Sequence, residues 1–454
     1  MIRALALAGM VLASCVPAPT VERAVAEAAL PEASLPAIRR FTGRPQATPP
    51  ISNAQLARDF LELSFALETG RALPVFTRFE GEVTVAIEKV DGAEPPATLE
   101  PDLDDLIGRL RREARIDIRR SQPGEAPSIT VSALPRAKLQ RFVPGAACFV
   151  VPRVTGWRDY LSKRFSNELD WTTLRTRTRA SVFLPEDVSP QEIRDCLHEE
   201  VAQALGPLND LYRLPHSIFN DDNVHVVLTD RDMAILRATY DPALRSGMTP
   251  RQVAQRLPAL LNRGNPRGRL RDVGEVPRST PDWVAAIRGA LNPRGSARSR
   301  LAQAERAVTL ARRAGWRDER LAFSLLALGR AALPVSGERA IGAFLEAGGA
   351  YRALQGDGVH AAQVALQLGA VALSTGDAET SLRLVDRAIP AAMDGQNAVV
   401  LSTLLLVRAE ALAALRRPEA ASVRQEGLAW GRYAWGDAVL AIRAREVAGL
   451  RPGA

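Results

Sequence analysis

The chain has 454 residues, 46% hydrophobic and 24% charged, which fits two or three folded domains and excludes a disordered or fibrous polymer. Net charge is +8, almost all from arginine, since lysine occurs only at Lys89, Lys138 and Lys163. The basic doublets (Arg39-Arg40, Arg111-Arg112, Arg119-Arg120, Arg312-Arg313, Arg416-Arg417) are scattered with few aromatics between them. That spacing argues against nucleic acid as a partner and leaves anionic envelope components as the class the charge favours.

Residues 1–14, MIRALALAGMVLAS, have an early arginine, an apolar run too short for a permanent membrane helix and a small-residue end. They read as a signal peptide, and Leu12-Ala13-Ser14-Cys15 matches a bacterial lipobox with Cys15 as the lipidated residue. Val16 stands where an inner-membrane retention aspartate would be, so an outer-membrane anchor facing the periplasm is expected. Residues 15–50 are rich in Ala and Pro and read as a tether of at most ~110 Å. Cys148 and Cys196 are then left over in an exported chain, which invites a disulfide worth about 3–4 kcal/mol.

Residues 51–261 read as a mixed α+β domain. Ser52-Asn53 caps a helix over AQLARDFLELSFAL, RFEGEVTVAIEKV alternates as a strand, and Leu99 to Ala114 has helical apolar spacing. Short strand-type runs follow in IDIRR, SITVSAL, ACFVVPR and ASVFLP, with the ACFVVPR run, which carries Cys148, expected in the core of the sheet. Ser189-Pro190-Gln191-Glu192 is a capping box with proline at the first helical position, and its helix should stop at Gly206-Pro207. Residues 262–295 read as a Gly/Pro/Arg linker. From 296 to 454 the pattern is wholly helical, with Leu333, Leu373 and Leu412 at intervals near 40 and Gly356-Asp357 and Gly376-Asp377 as turns. This array resembles tetratricopeptide-type helical hairpins, which implies a surface for a protein partner.

The motif helix carries EEVAQALGPLND. Zinc hydrolysis on a helix needs histidines at i and i+4 with a glutamate general base beside the first, and metzincins extend this to H-E-x-x-H-x-x-G-x-x-H. Laid on that frame, the ligand positions hold Glu199, Gln203 and Asn209, with Asp210 adjacent; Glu200 holds the base position and Gly206 the turn. A register starting at His198 fails, because its second ligand would be Ala202. Ser217-Ile218-Phe219 stands where matrixin-type metzincins have a Ser-Ile-Met turn, with Phe219 for the methionine. Leu228-Thr229 to Tyr240 is similar to their final helix. His216 and His225 read as ordinary loop or strand histidines. The same segments resemble an uncharacterised bacterial lipoprotein family, domain of unknown function 2927.

The resemblance implies a metzincin-like domain with its zinc site lost, and a left-handed backbone at Gly206. Oxygen donors suit Ca²⁺ or Mg²⁺ better than Zn²⁺, but one carboxylate and two amides make a thin cage, so no metal is expected. The reading that follows is a lipid-anchored pseudoprotease acting through its repeats. The alternative is an unorthodox hydrolase with Glu200 as base.

Overall fold

Ser52 opens the first helix: its hydroxyl accepts the N–H of Gln55 at 3.1 Å, and α1 runs Asn53–Ser64. The computed structural model describes residues 35–272 and 274–453. The signal peptide, Cys15 and the first part of the tether lie outside the described residues. The chain divides into two compact units, Phe41–Val276 and the segment from Pro277 onward with residues 35–40.

In the first unit the order after α1 is β1 (Val83–Glu88), α2 (Leu99–Arg109), β2 (Ile118–Arg120), β3 (Ile129–Leu134), α3 (Arg136–Phe142), β4 (Phe149–Pro152), α4 (Gly156–Lys163), β5 (Ala180–Pro185), α5 (Pro190–Leu205), α6 (Asp230–Thr239) and α7 (Pro250–Gly264). The strands form one sheet in the order β2-β1-β3-β5-β4. All pairings are parallel except β4 with β5, which sets Val150 opposite Val182. Every residue of β3 and β5 is buried, because helices cover both faces. On one face Leu103 and Leu106 of α2 and Leu197 and Val201 of α5 share a core with Phe60 of α1. On the other, Leu139, Trp157 and Tyr160 pack on Phe183. The expected α+β arrangement is thus corrected to an α/β one, with a mostly parallel sheet between helices.

Cys148 and Cys196 are bonded, with Cα atoms 5.9 Å apart. Cys148 precedes β4, the antiparallel edge strand, rather than lying on a core strand as its apolar run suggested. The bridge ties that edge to the motif helix α5. In denatured protein, titration should find neither thiol until a reductant is added; free thiols at both positions beforehand would refute the bridge.

The tether and linker boundaries also need correction. Pro36 O accepts from Arg432 at 2.9 Å and Arg39 N donates to Ala429 O at 3.2 Å, so residues 35–40 are fixed on the helical unit. Thr48 N donates to Asp230 at 3.1 Å, fixing the end of the tether on the α/β unit. Within 262–295, the stretch read as linker, Thr280 caps a helix, α8 (Pro281–Leu291), whose Trp283 donates to Ser324 at 3.0 Å.

The second unit continues with α9 (Ala297–Arg313), α10 (Glu319–Ala332), α11 (Gly337–Gln355), α12 (Val359–Ser374), α13 (Ala378–Asp394), α14 (Ala398–Ala414) and α15 (Ala420–Ala448), consecutive helices packing on one another. Small residues set the spacing: a Cβ on Gly329 of α10 would lie 2.4 Å from the Phe344 ring of α11. Gly356 and Gly376 turn the chain with positive φ, and Asp377 then caps α13 through Thr380 N at 3.0 Å. No helix among the described residues is long and apolar enough to cross a membrane.

Candidate functional site

The motif helix α5 starts as its sequence requires: Ser189 Oγ accepts Glu192 N at 3.2 Å and Pro190 fills the first turn. The second half of the expected capping box is spent elsewhere, since the Glu192 carboxylate pairs with Arg136. At its other end the last carbonyls are taken by a buried arginine that the sequence gave no reason to single out. Arg177 donates to Ala204 O at 2.7 Å and Gly206 O at 2.6 Å, and also to Gln203 O. Tyr240 OH adds a bond to Leu205 O at 3.1 Å. Arg177 stacks 4.9 Å from the Trp171 ring centroid, and burial lowers its guanidinium to about 10.

Gly206 keeps the chain turning there, though not by a left-handed conformation. Its φ is −173°, so the expected left-handed turn is corrected. Glycine is required instead because a Cβ would sit 2.8 Å from Thr239 Cγ2 on α6. Gly206→Ala should therefore cost about 1–3 kcal/mol through overpacking. Thr239→Ser, which deletes only Cγ2 and keeps the bond from Oγ1 to Ile235 O, should recover most of that loss in a thermal melt. No recovery in the double variant would refute the contact.

The three degenerate ligand positions do not converge. Gln203 is buried, and its amide lies 3.5 Å from Glu68 Oε1 and 3.4 Å from Asp210 Oδ2. Asn209 turns away and donates to Glu62 O at 3.1 Å. Its neighbour Asp210 is therefore the residue that meets the helix. Glu68 comes from the exposed turn after α1 and carried no sequence signal at all.

Around Gln203 the structure gathers carboxyls. Burial, then Glu200, Asp195, Glu68 and Asp221, push the Glu199 carboxyl well above its usual range. Burial, Glu68 and Asp210 do the same to Glu200, and burial, Glu199 and Glu68 to Asp210. Asp195, one turn earlier, is pushed up to about 7, mainly by burial. Glu200 Oε2 and Asp210 Oδ1 have no hydrogen-bond partner among the described residues. Like charges gathered at one place out of bulk water disfavour one another's ionised forms, so the cluster keeps protons to higher pH than isolated carboxyls would.

His198 takes no part. Its Nδ1 accepts Leu228 N at 3.2 Å, and burial with Arg194 and Arg109 nearby lowers its pKa well below the usual value, keeping it neutral. His216 and His225 stack edge to face 5.7 Å apart. Phe219 is fully buried in the core, and its turn is pinned to α6 by Asp232. The Asp232 carboxylate accepts from Ile218 N (3.1 Å), Thr229 N (2.8 Å) and Ser217 Oγ (2.5 Å), so one side chain closes the capping box of α6 and holds the Ser-Ile-Phe turn.

The residues in the frame do not fit zinc: no imidazole faces the site, and the amide at the second ligand position is engaged by two carboxyls. Among the described residues no three His, Cys, Asp or Glu side chains are grouped as metal ligands.

Residues 53–259 match the model of a family described as "Protein of unknown function (DUF2927)". No curated protein and no solved structure matches the chain. The chain is thus an α/β unit in which residues 53–259 match that family's model, followed by an all-helical unit.

Proposed function

We propose that this chain is a lipid-anchored protein of the bacterial cell envelope, a pseudoprotease whose metzincin-like frame has lost its zinc and whose tetratricopeptide-like repeats bind a protein partner. The observation that carries the reading is Gln203, at the position of the second zinc ligand, hydrogen-bonded to Glu68 and Asp210. An amide between two carboxyls is part of a polar cluster and offers no imidazole nitrogen to a metal. The Ser-Ile-Phe turn held by Asp232, and the position of α6 over Gly206, support a retained frame packed for stability.

A second reading, a hydrolase using Glu200, is favoured by the unpartnered Glu200 Oε2. Burial, Glu68 and Asp210 raise the pKa of Glu200 and so favour its protonated form, which suits a proton donor rather than the base of this reading.

Metal analysis of the purified protein should find no stoichiometric zinc, and peptide hydrolysis should be absent. Near-equimolar zinc would overturn the reading. So would a measurable activity lost in Glu200→Gln at an unchanged melting temperature. Cys15→Ser should abolish fatty-acid labelling and release the chain from membranes; labelling that persists would remove the anchor.

A further inference from the structure

A cavity of about 340 Å³ lies away from the motif helix, between the residues following α2 and helices α6 and α7. Its volume falls in the range of small-molecule sites, about 300–1,000 Å³. Three arginines line it, Arg115, Arg237 and Arg263, against one carboxylate, Asp241. Asp241 is already used twice, accepting Ala243 N at 2.9 Å and pairing with Arg263 at 3.4 Å. Glu113, the other carboxylate acting on Arg237, is held by Arg109 through bonds of 2.9 and 3.0 Å. Positive charge is therefore in excess inside this cavity.

The individual arginines sharpen the point. Arg237 spends its donors on main-chain carbonyls, Glu113 O at 2.9 Å and Gly264 O at 2.7 Å, which fixes the guanidinium in the wall without neutralising it. The Arg115 backbone N–H donates to Leu110 O, but its side chain makes no hydrogen bond or ion pair among the described residues, and its charge acts repulsively on Arg237. Its backbone is left-handed, φ 57°, ψ 35°, directly after a π-helical turn at Leu110–Ala114. A branched-chain or bulky residue holds that conformation only where the surroundings impose it, and π turns recur at functional sites. The smaller cavity on the far side of Arg237 is different. There Arg267 pairs with Asp230 at 3.0 Å and Arg231 with Asp59, so Arg237 is the one lining arginine without an ion pair to a carboxylate.

We infer that the larger cavity binds an oxyanion, a phosphate or carboxylate on a small molecule, gripped between Arg115 and Arg263 with Arg237 behind it. The guanidinium fork matches two oxygens of such a group, and the apolar side chains of Leu260 and Ala238 face the rest of the ligand. A free metabolite and an anionic lipid headgroup present the same oxyanion, and experiment separates them.

Inorganic phosphate is titrated calorimetrically into the Cys15→Ser full chain at constant ionic strength, with vesicles of phosphatidylglycerol or phosphatidylcholine in a parallel sedimentation arm. Phosphate should bind saturably. Arg115→Gln should weaken it at least about tenfold, and Arg115→Gly should do the same while favouring the left-handed backbone, which keeps the fold out of the comparison. Arg111→Gln, a neighbouring exposed arginine outside the cavity, should change nothing. Arg115-dependent binding to phosphatidylglycerol vesicles alone would assign the oxyanion to a lipid headgroup. No saturable binding in either arm, or equal losses in Arg111→Gln and Arg115→Gln, would overturn the site.

Discussion

Asp59→Ala is expected to destabilise the α/β unit by about 3–5 kcal/mol, the cost of breaking a buried ion pair from one side. Asp59 is fully buried on α1 and accepts from Gln55 at 2.8 Å, from Arg213 at 2.6 Å and from Arg231. Arg213 also reaches Glu62 at 2.7 Å, and Arg231 reaches Pro215 O at 2.5 Å. The network therefore clamps the loop between the motif helix and α6 onto α1. Without Asp59 two buried guanidiniums lose their shared counter-charge, and nothing of similar shape can solvate them. The melting temperature of this unit should fall by roughly 10 °C, at ~2–4 °C per kcal/mol for a unit of this size. Replacing Asp59, Arg213 and Arg231 together by apolar residues should cost less than Asp59→Ala alone, because no buried guanidinium is then left without its counter-charge and the partly exposed Glu62 loses only its bond to Arg213. A single-variant loss below about 1 kcal/mol, or a triple variant worse than the single, would sink this account.

Much of the first unit was legible because its signals are local. The alternating run RFEGEVTVAIEKV and the short strand-type run ASVFLP hold the strands Val83–Glu88 and Ala180–Pro185, and the serine caps at Ser52 and Ser189 marked their helices correctly. The short helices Arg136–Phe142 and Gly156–Lys163 were missed. Neither has room for a full apolar period, and each is held by contacts with β5 and its neighbours rather than by its own pattern. Helix Pro281–Leu291 was hidden for another reason: its flanks are so rich in Gly, Pro and Arg that composition outweighed the Thr280-Pro281 start signal.

The site was legible in its frame and illegible in its partners. Spacing along one helix placed Glu199, Glu200, Gln203 and Gly206 correctly relative to one another, since i, i+4 geometry is local. Which of Asn209 or Asp210 faces the helix depends on where the loop meets α1, and Leu208 N bonding to Leu63 O at 2.8 Å settles it in favour of Asp210. Glu68, Arg177 and the Asp59 network come from distant parts of the chain. Each is one polar residue among many, and nothing in a single sequence distinguishes a buried one. The Gly206 error has the same origin, because its requirement comes from Thr239 across the core rather than from its own dihedral.

Above the ordinary carboxyl range the stability of the α/β unit should fall as pH rises, and the carboxyl cluster is the reason. Glu199, Glu200 and Asp210 have folded-state pKa values well above their unfolded ones. The contribution of such groups is fully present below the unfolded value and is lost as pH rises through the folded one. In that window the native state holds protons that the unfolded state has released, so stability falls by about 1.4 kcal/mol per pH unit for each carboxyl still protonated. Asp195 loses its share as pH rises through about 7. His198 acts in the opposite sense. Its folded pKa is depressed, so its contribution is complete above about 6.5 and is lost only on acidification; above that value it is constant. Glu199→Gln with Asp210→Asn removes two titrating groups and their mutual repulsion while keeping near-identical shapes. Urea unfolding of this double variant should show a slope with pH shallower by up to about 3 kcal/mol per unit, and a more stable unit at pH 9 than the unsubstituted chain. Equal slopes for the two proteins would mean that these carboxyls are ionised in the native state, and that the cluster is held open by solvent instead of protons.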